Sequence, residues 1–136
     1  MDKSLNYMAL ARKAGRIELG EEPVGSAARA QKARLVVVAA DASDHTWRRA
    51  KSFVAGTGQQ CIKVPFSKDI LGQAVGRTSL AICSFTDPAL ALAFVKALPQ
   101  PDAAVLESLE ERTKRIQKRQ QEAKAHLRNK QSGKKK

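Results

Sequence analysis

Leu35-Val36-Val37-Val38-Ala39-Ala40 is the stretch that decides the fold. Its β-branched residues favour an extended chain, and successive side chains of a strand point to opposite faces. An unbroken apolar run therefore describes a central strand covered on both sides. Helices must supply that cover, and the flanking sequence offers them. Upstream, Ser4 to Ala14 reads as an opening helix, with Ser4 as N-cap and Gly15 as stop. Leu5, Met8, Ala9 and the stem of Arg12 form its expected inner face. A short extended piece, Arg16 to Leu19, leads through Gly20 to a second helix over Glu21 to Gln31.

Downstream, Asp41 and Ser43-Asp44 carry cap chemistry for a third helix through Trp47 to about Ala55, ended by Gly56 and Gly58. Cys61-Ile62-Lys63-Val64 reads as a shorter strand, Ser67 caps a helix over Lys68 to Val75, and Leu80 to Phe85 is another strand. Asp87-Pro88 opens a further helix, with proline at the first helical position, where its missing N–H costs nothing. Helices alternating with strands predict an α/β fold, a three-layer α/β/α sandwich around one small mixed sheet.

Pro99-Gln100-Pro101 disfavours helix continuation and marks a boundary. The expected division is a sandwich over residues 1–98 and a strongly basic C-terminal tail, helical or disordered, over residues 99–136. Val105, Leu109, Ile116, Ala123 and Leu127 form a stripe too sparse to bury much surface, so a marginal solvated helix is expected. Glu107, Glu110 and Glu111 come early. From Arg112 to Lys136 eleven lysines and arginines face the single acid Glu122, so this stretch holds +10 of the chain's +12 formal charge. Such asymmetry favours docking on a polyanion over a solubilising role.

Across 136 residues, 25 basic side chains outnumber 13 acidic ones, which points to nucleic acid or an anionic surface as partner. No apolar run approaches membrane-span length, and Met1-Asp2-Lys3-Ser4-Leu5-Asn6 is too polar for a signal-peptide core, so a cytoplasmic, membrane-free, monomeric protein is expected. Cys61 and Cys83 lack the spacing of a zinc or redox motif and read as reduced core cysteines.

Gly20-Glu21-Glu22-Pro23-Val24-Gly25-Ser26 has the glycine spacing of a phosphate loop, but Ser26 stands where the lysine belongs and two carboxylates occupy the loop. Acids in a first helical turn complement the helix dipole instead. His45 and His126 lack relay partners, and no nucleophile-and-base pattern appears. The expectation is a non-enzyme with no metal or cofactor site. Trp47 with Arg48 and Arg49 reads as a half-buried helix tryptophan beside surface arginines. More suggestive are Arg12, Lys13 and Arg16 around Gly15, and Lys32 and Arg34 after the second helix. With the free N–H groups of the helix start at Glu21, they are expected to converge on one edge of the sandwich as an RNA-backbone footprint.

From Leu5 to Leu98 the chain resembles the kink-turn-binding ribosomal protein family (large-subunit ribosomal protein type), most closely its bacterial YlxQ-type branch. The carriers are Leu10-Ala11-Arg12-Lys13-Ala14-Gly15-Arg16, Gly20-Glu21-Glu22, the run from Leu35 through Ala42-Ser43, Val64-Pro65-Phe66-Ser67-Lys68 and Leu71-Gly72-Gln73-Ala74-Val75-Gly76. The resemblance implies a three-layer sandwich that grips bent RNA through the loop before the second helix. In the family an Asn, a Glu and a Lys there address sheared G·A pairs, and a second loop covers extruded nucleotides. By position, Gly20 matches the loop glycine, Glu22 falls at the Asn, Pro23 at the Glu and Ser26 at the Lys, while Gly76-Arg77-Thr78-Ser79 is the second loop. An ionised Glu22 only accepts hydrogen bonds, Pro23 offers no polar side chain, and Ser26 gives up a cation. Each good base contact is worth roughly 1–3 kcal/mol, so these departures weaken G·A readout.

The sequence-level reading is an RNA-binding, ribosome-associated protein with Arg12, Lys13, Arg16, Gly20, Glu21, Glu22, Ser26, Lys32 and Arg77 at its RNA surface. Arg112, Lys114 and Arg115 open the electrostatic arm. The partner is ribosomal or other structured RNA. The alternative is a module docking on ribosomal or transcription proteins, which the acidic Glu21-Glu22 loop favours.

Overall fold

A computed structural model describes residues 2–133; Met1 and the last three lysines of the tail, Lys134 to Lys136, lie outside the described residues. Strand β1 (Ile17–Leu19), β2 (Leu35–Val38), β3 (Cys61–Lys63) and β4 (Ile82–Phe85) form one sheet in the order β1-β4-β2-β3. β4 runs antiparallel to both β1 and β2, whereas β2 and β3 are parallel, so the sheet is mixed. Ile17, Phe85 and Leu35 form the row at one end, and Leu19, Cys83 and Val37 the row two residues on.

The central run divides as its composition requires. Leu35 and Val37 join one core cluster, while Val36 and Val38 join the other. On the first face lie α1 (Lys3–Lys13), α4 (Lys68–Ala74) and α5 (Pro88–Ala97), contributing Met8, Leu71 and Phe94. On the second lie α2 (Glu21–Arg29) and α3 (Asp44–Val54), contributing Val24, Ala28 and Ala50. The three-layer α/β/α sandwich is thus the observed architecture.

Caps set the helix starts. Ser43, Ser67 and Asp87 accept from the N–H three residues on, as their sequence positions predict. For α1 the cap is Asp2 rather than Ser4. The Ser4 hydroxyl and N–H both donate to the Asp2 carboxylate and hold its pKa below the ordinary value. The inner face of α1 shifts accordingly: Ser4, Leu5, Met8 and Ala11 are buried, and Arg12 is exposed.

The tail departs from expectation. Helix α6 (Ala103–Gly133) is not solvated from its start, because Val105 and Leu109 are buried within the first core cluster. Thr113 is buried one turn later, its hydroxyl donating to the Leu109 carbonyl at 2.7 Å. Core packing therefore continues past Pro99-Gln100-Pro101 for three turns. Beyond Ile116 the described side chains are exposed, and Leu127 is 59% accessible.

Candidate nucleic-acid interface

Gly20 stands between β1 and α2 with φ +99°, a conformation that glycine adopts without a Cβ penalty. Its N–H donates to the Ile82 carbonyl at 3.0 Å, which pins the start of α2 to the start of β4. Glu21, Glu22 and Pro23 form the first turn of α2. The first N–H groups of a helix lack intrahelical partners, so Pro23 sacrifices nothing there. Glu21 Oε1 accepts from Arg49 Nε at 2.7 Å, and His45 Nε2 lies 3.9 Å from the same oxygen. The Arg49 guanidinium also sits 4.9 Å from the centre of the Phe53 ring. Phe53 packs so closely on α2 that a Cβ on Gly25 would lie 3.0 Å from its Cε1. A groove of about 580 Å³ runs between these helices, with Glu22 and Ser26 exposed along it.

The second loop leads into the strand that pins the first. Arg77 N–H donates to the Gly72 carbonyl at 2.8 Å, and Leu80 N–H to the Lys68 carbonyl at 2.9 Å. The segment Gly76-Arg77-Thr78-Ser79 therefore folds back over α4 and enters β4 at Ile82, beside Gly20. Gly20, Glu21, Glu22, Ser26 and Arg77 share this loop end.

The other predicted residues are elsewhere. Arg16 precedes β1 and Gly20 follows it, so a strand of extended chain, on the order of 10 Å, separates them. Arg12 and Lys13, in the last turn of α1, accompany Arg16. Lys32 follows the far end of α2, where its N–H donates to the Ala27 carbonyl at 2.8 Å. The expected convergence of these cations with the helix start at Glu21 does not occur. The strand and helix that link them carry them to opposite ends. Arg112 Nη2 donates to the Thr57 carbonyl at 3.4 Å, and Arg115 pairs with Glu111 at 2.8 Å, while Lys114 is exposed.

The model of the ribosomal protein L7Ae/L30e/S12e/Gadd45 family matches residues 2–92. The chain belongs to this family. A protein of unknown function from Bacillus halodurans superposes with a TM-score of 0.66 at 22% identity, covering 79% of this chain and 99% of that one. The Giardia lamblia 15.5kD RNA binding protein superposes at 0.59 with 21% identity, covering 79% and 84%. At these identities the likeness concerns the fold. The comparison with curated proteins returns no match.

Two features of this L7Ae-family sandwich escaped the sequence. Arg49 faces Glu21 across two helices, a pairing with no local signal at a separation of 28 residues. Gln59 is buried at 4% exposure, accepting from Ala33 N–H at 2.9 Å and donating to the Ala28 carbonyl at 3.1 Å. Trp47 is half-buried, with the ammonium groups of Lys51 and Lys63 at 5.4 and 5.2 Å from its ring. It borders a larger, mostly apolar groove of about 900 Å³ between β3 and the α5–α6 junction. Among the described residues no cluster of three His, Cys, Asp or Glu is placed to hold a metal. No helix of the described chain is long and apolar enough to cross a membrane. Burial pushes the Cys83 thiol up to about 12, and Cys61 in the same direction, which keeps both protonated rather than nucleophilic at neutral pH.

Proposed function

We propose that this chain is a cytoplasmic, ribosome-associated RNA-binding protein, not an enzyme, that engages structured RNA of the kink-turn class through its loop end. One observation carries the reading: the Gly20–Ile82 hydrogen bond of 3.0 Å joins the start of α2 to the strand that the 76–79 loop enters. The family resemblance assigns RNA contact to these same two segments, and the Giardia lamblia protein of like fold is an RNA binding protein by name. Backbone N–H groups at the start of α2 suit a phosphate. Glu22, Pro23 and Ser26 offer little base readout, so preference for a G·A-paired kink is modest, and the basic tail adds affinity without selectivity.

The test is a binding titration of one kink-turn RNA, its G·A-disrupted variant and a plain duplex at two salt concentrations. The intact kink-turn binds tightest at both. Equal affinity for all three would overturn the reading.

The pairing of Glu21 with Arg49, which leaves the loop end without excess positive charge, favours a second reading as a module docking on ribosomal or transcription proteins. Capture of a protein partner that survives nuclease treatment distinguishes it.

A further inference from the structure

We infer that the end of the sandwich opposite the loops is a separate nucleic-acid surface, one that holds a double-stranded RNA backbone without reading bases. It rests on the proposed function only for the class of ligand.

A chain of hydrogen bonds defines that end. Thr86 N–H donates to the Arg16 carbonyl at 3.0 Å, and Arg34 N–H to the Phe85 carbonyl at 2.8 Å. Arg16 and Arg34 thus flank β4 from its two neighbouring strands, roughly 10 Å apart at their backbones. Ala33 N–H reaches Gln59, whose side chain also donates to Thr57 Oγ1 at 3.0 Å, and the Thr57 carbonyl accepts from Arg112. Arg12, Lys13, Arg16, Lys32, Arg34 and Arg112 are therefore gathered around one end of the sheet. None of these six has a carboxylate within 4.0 Å among the described residues. Arg34 is half-buried, and its Nε, itself shut off from solvent, has no hydrogen-bond partner within the protein.

Bases at helix C-termini also complement the helix dipole, which accounts for Arg12 and Lys13. It does not account for Arg16, Lys32 and Arg34, which lie outside helices. Nor does it explain the course of α6. Val105 borders the same groove as Val64, Ser108 accepts from Gln60 at 3.1 Å, and Arg112 reaches Thr57 one turn later. The helix thus runs toward the cationic end and continues past it, and Lys114 to Leu127 alone span roughly 20 Å. From Arg112 to Leu127 six lysines and arginines face the single acid Glu122, and this stretch starts at the end that already holds Arg16 and Arg34. Like charges within a Debye length of about 8–10 Å repel one another, and a phosphodiester backbone lying along both relieves that repulsion. Of the nearby acids, Asp87 caps α5, accepting from Leu90 N–H at 2.9 Å, and Glu111 holds Arg115, while Glu18 on β1 and Glu107 on α6 are exposed. The loop end, by contrast, carries Asp2, Glu21, Glu22, Asp41, Asp44 and Asp69 at or beside helix starts.

Full-length R12Q/K13Q/R16Q/K32Q and an equal-charge control, K3Q/R48Q/K63Q/K96Q, are compared with the parent on a short plain RNA duplex across a salt series. All eight side chains are exposed, and circular dichroism confirms that each variant is folded. The first variant loses about 3 from the log–log salt slope, at roughly 0.7–0.9 per phosphate contact, and the control keeps its slope within about 1. Equal losses would reduce the effect to net charge and overturn the proposal, as would an unchanged slope in the first variant. Binding of anionic lipid vesicles in place of duplex overturns it too. Failure of the parent to prefer a kink-turn would sink the loop-end reading alone, because the slope is read on RNA that has no kink.

Discussion

Arg49 Nε donates to Glu21 Oε1 at 2.7 Å, and this pair joins α3 to the first turn of α2 at the edge of the loop end. Glu21 would otherwise present a free carboxylate where RNA phosphates are proposed to lie. Arg49 answers that charge from within the chain and stacks on Phe53 at the same time. The pair is half-exposed, so its value lies in local potential more than in stability.

Replacing Arg49 should expose this. R49A costs about 1 kcal/mol of stability or less, measured by urea unfolding. Its affinity for structured RNA falls severalfold at low salt, and the deficit narrows as salt screens the unpaired Glu21. In E21Q/R49A the affinity recovers. Failure to recover would mean that Arg49 itself touches the RNA.

Two helical glycines give opposite expectations. A Cβ on Gly72 would lie 2.7 Å from the Arg77 carbonyl oxygen and 2.8 Å from Ser79 N, both backbone atoms of the folded-back loop. G72A therefore displaces the loop and destabilises the protein by about 1–3 kcal/mol despite its better helix propensity. On Gly25 the obstacle is the Phe53 ring at 3.0 Å, a side chain that can shift. There the gain in propensity, about 1 kcal/mol, offsets the repacking, and G25A unfolds near the parent midpoint. Equal losses for the two variants would contradict this distinction.

The fold was legible because its central strand declares both faces. Leu35 and Val37 on one side, and Val36 and Val38 on the other, need no partner to reveal two-sided burial. Caps at Ser43, Ser67 and Asp87 were equally local. Helix α6 was not legible, since Val105, Leu109 and Thr113 make a short seam whose burial depends on the surface α5 offers. The site divided in the same way. Gly20 and its neighbours form a contiguous stretch, but their link to the strand that the 76–79 loop enters is set by the pairing of β1 with β4. Arg16 and Gly20 lie at opposite ends of the extended piece that the sequence itself places between them, and the length of β1 is what keeps them apart.

The buried thiol provides a pH test. Unfolded, Cys83 ionises near its ordinary value of 9.0, and in the fold burial pushes it up to about 12. A raised value means that the folded state keeps a proton the unfolded chain gives up. The stabilisation is complete below pH 9 and is lost as pH rises toward 12. Urea midpoints of the parent should fall across this window more steeply than those of C83A. Parallel declines would assign the alkaline loss to other groups.

Removing the tail at Leu98 would confuse two effects, because α6 is both a packed element and a charged arm. Loss of Val105 and Leu109 uncovers core, and L109A alone should cost about 2–5 kcal/mol, whereas L127A should stay within about 0.5 kcal/mol. A chain ending after Gln117 keeps the buried turns and the Glu111–Arg115 pair. It should unfold at the parent midpoint yet bind plain duplex more weakly, with a flatter salt slope. Stability and RNA affinity falling together in that shortened chain would show that the outer helix is structural, and an unchanged slope would show that the arm does not touch RNA.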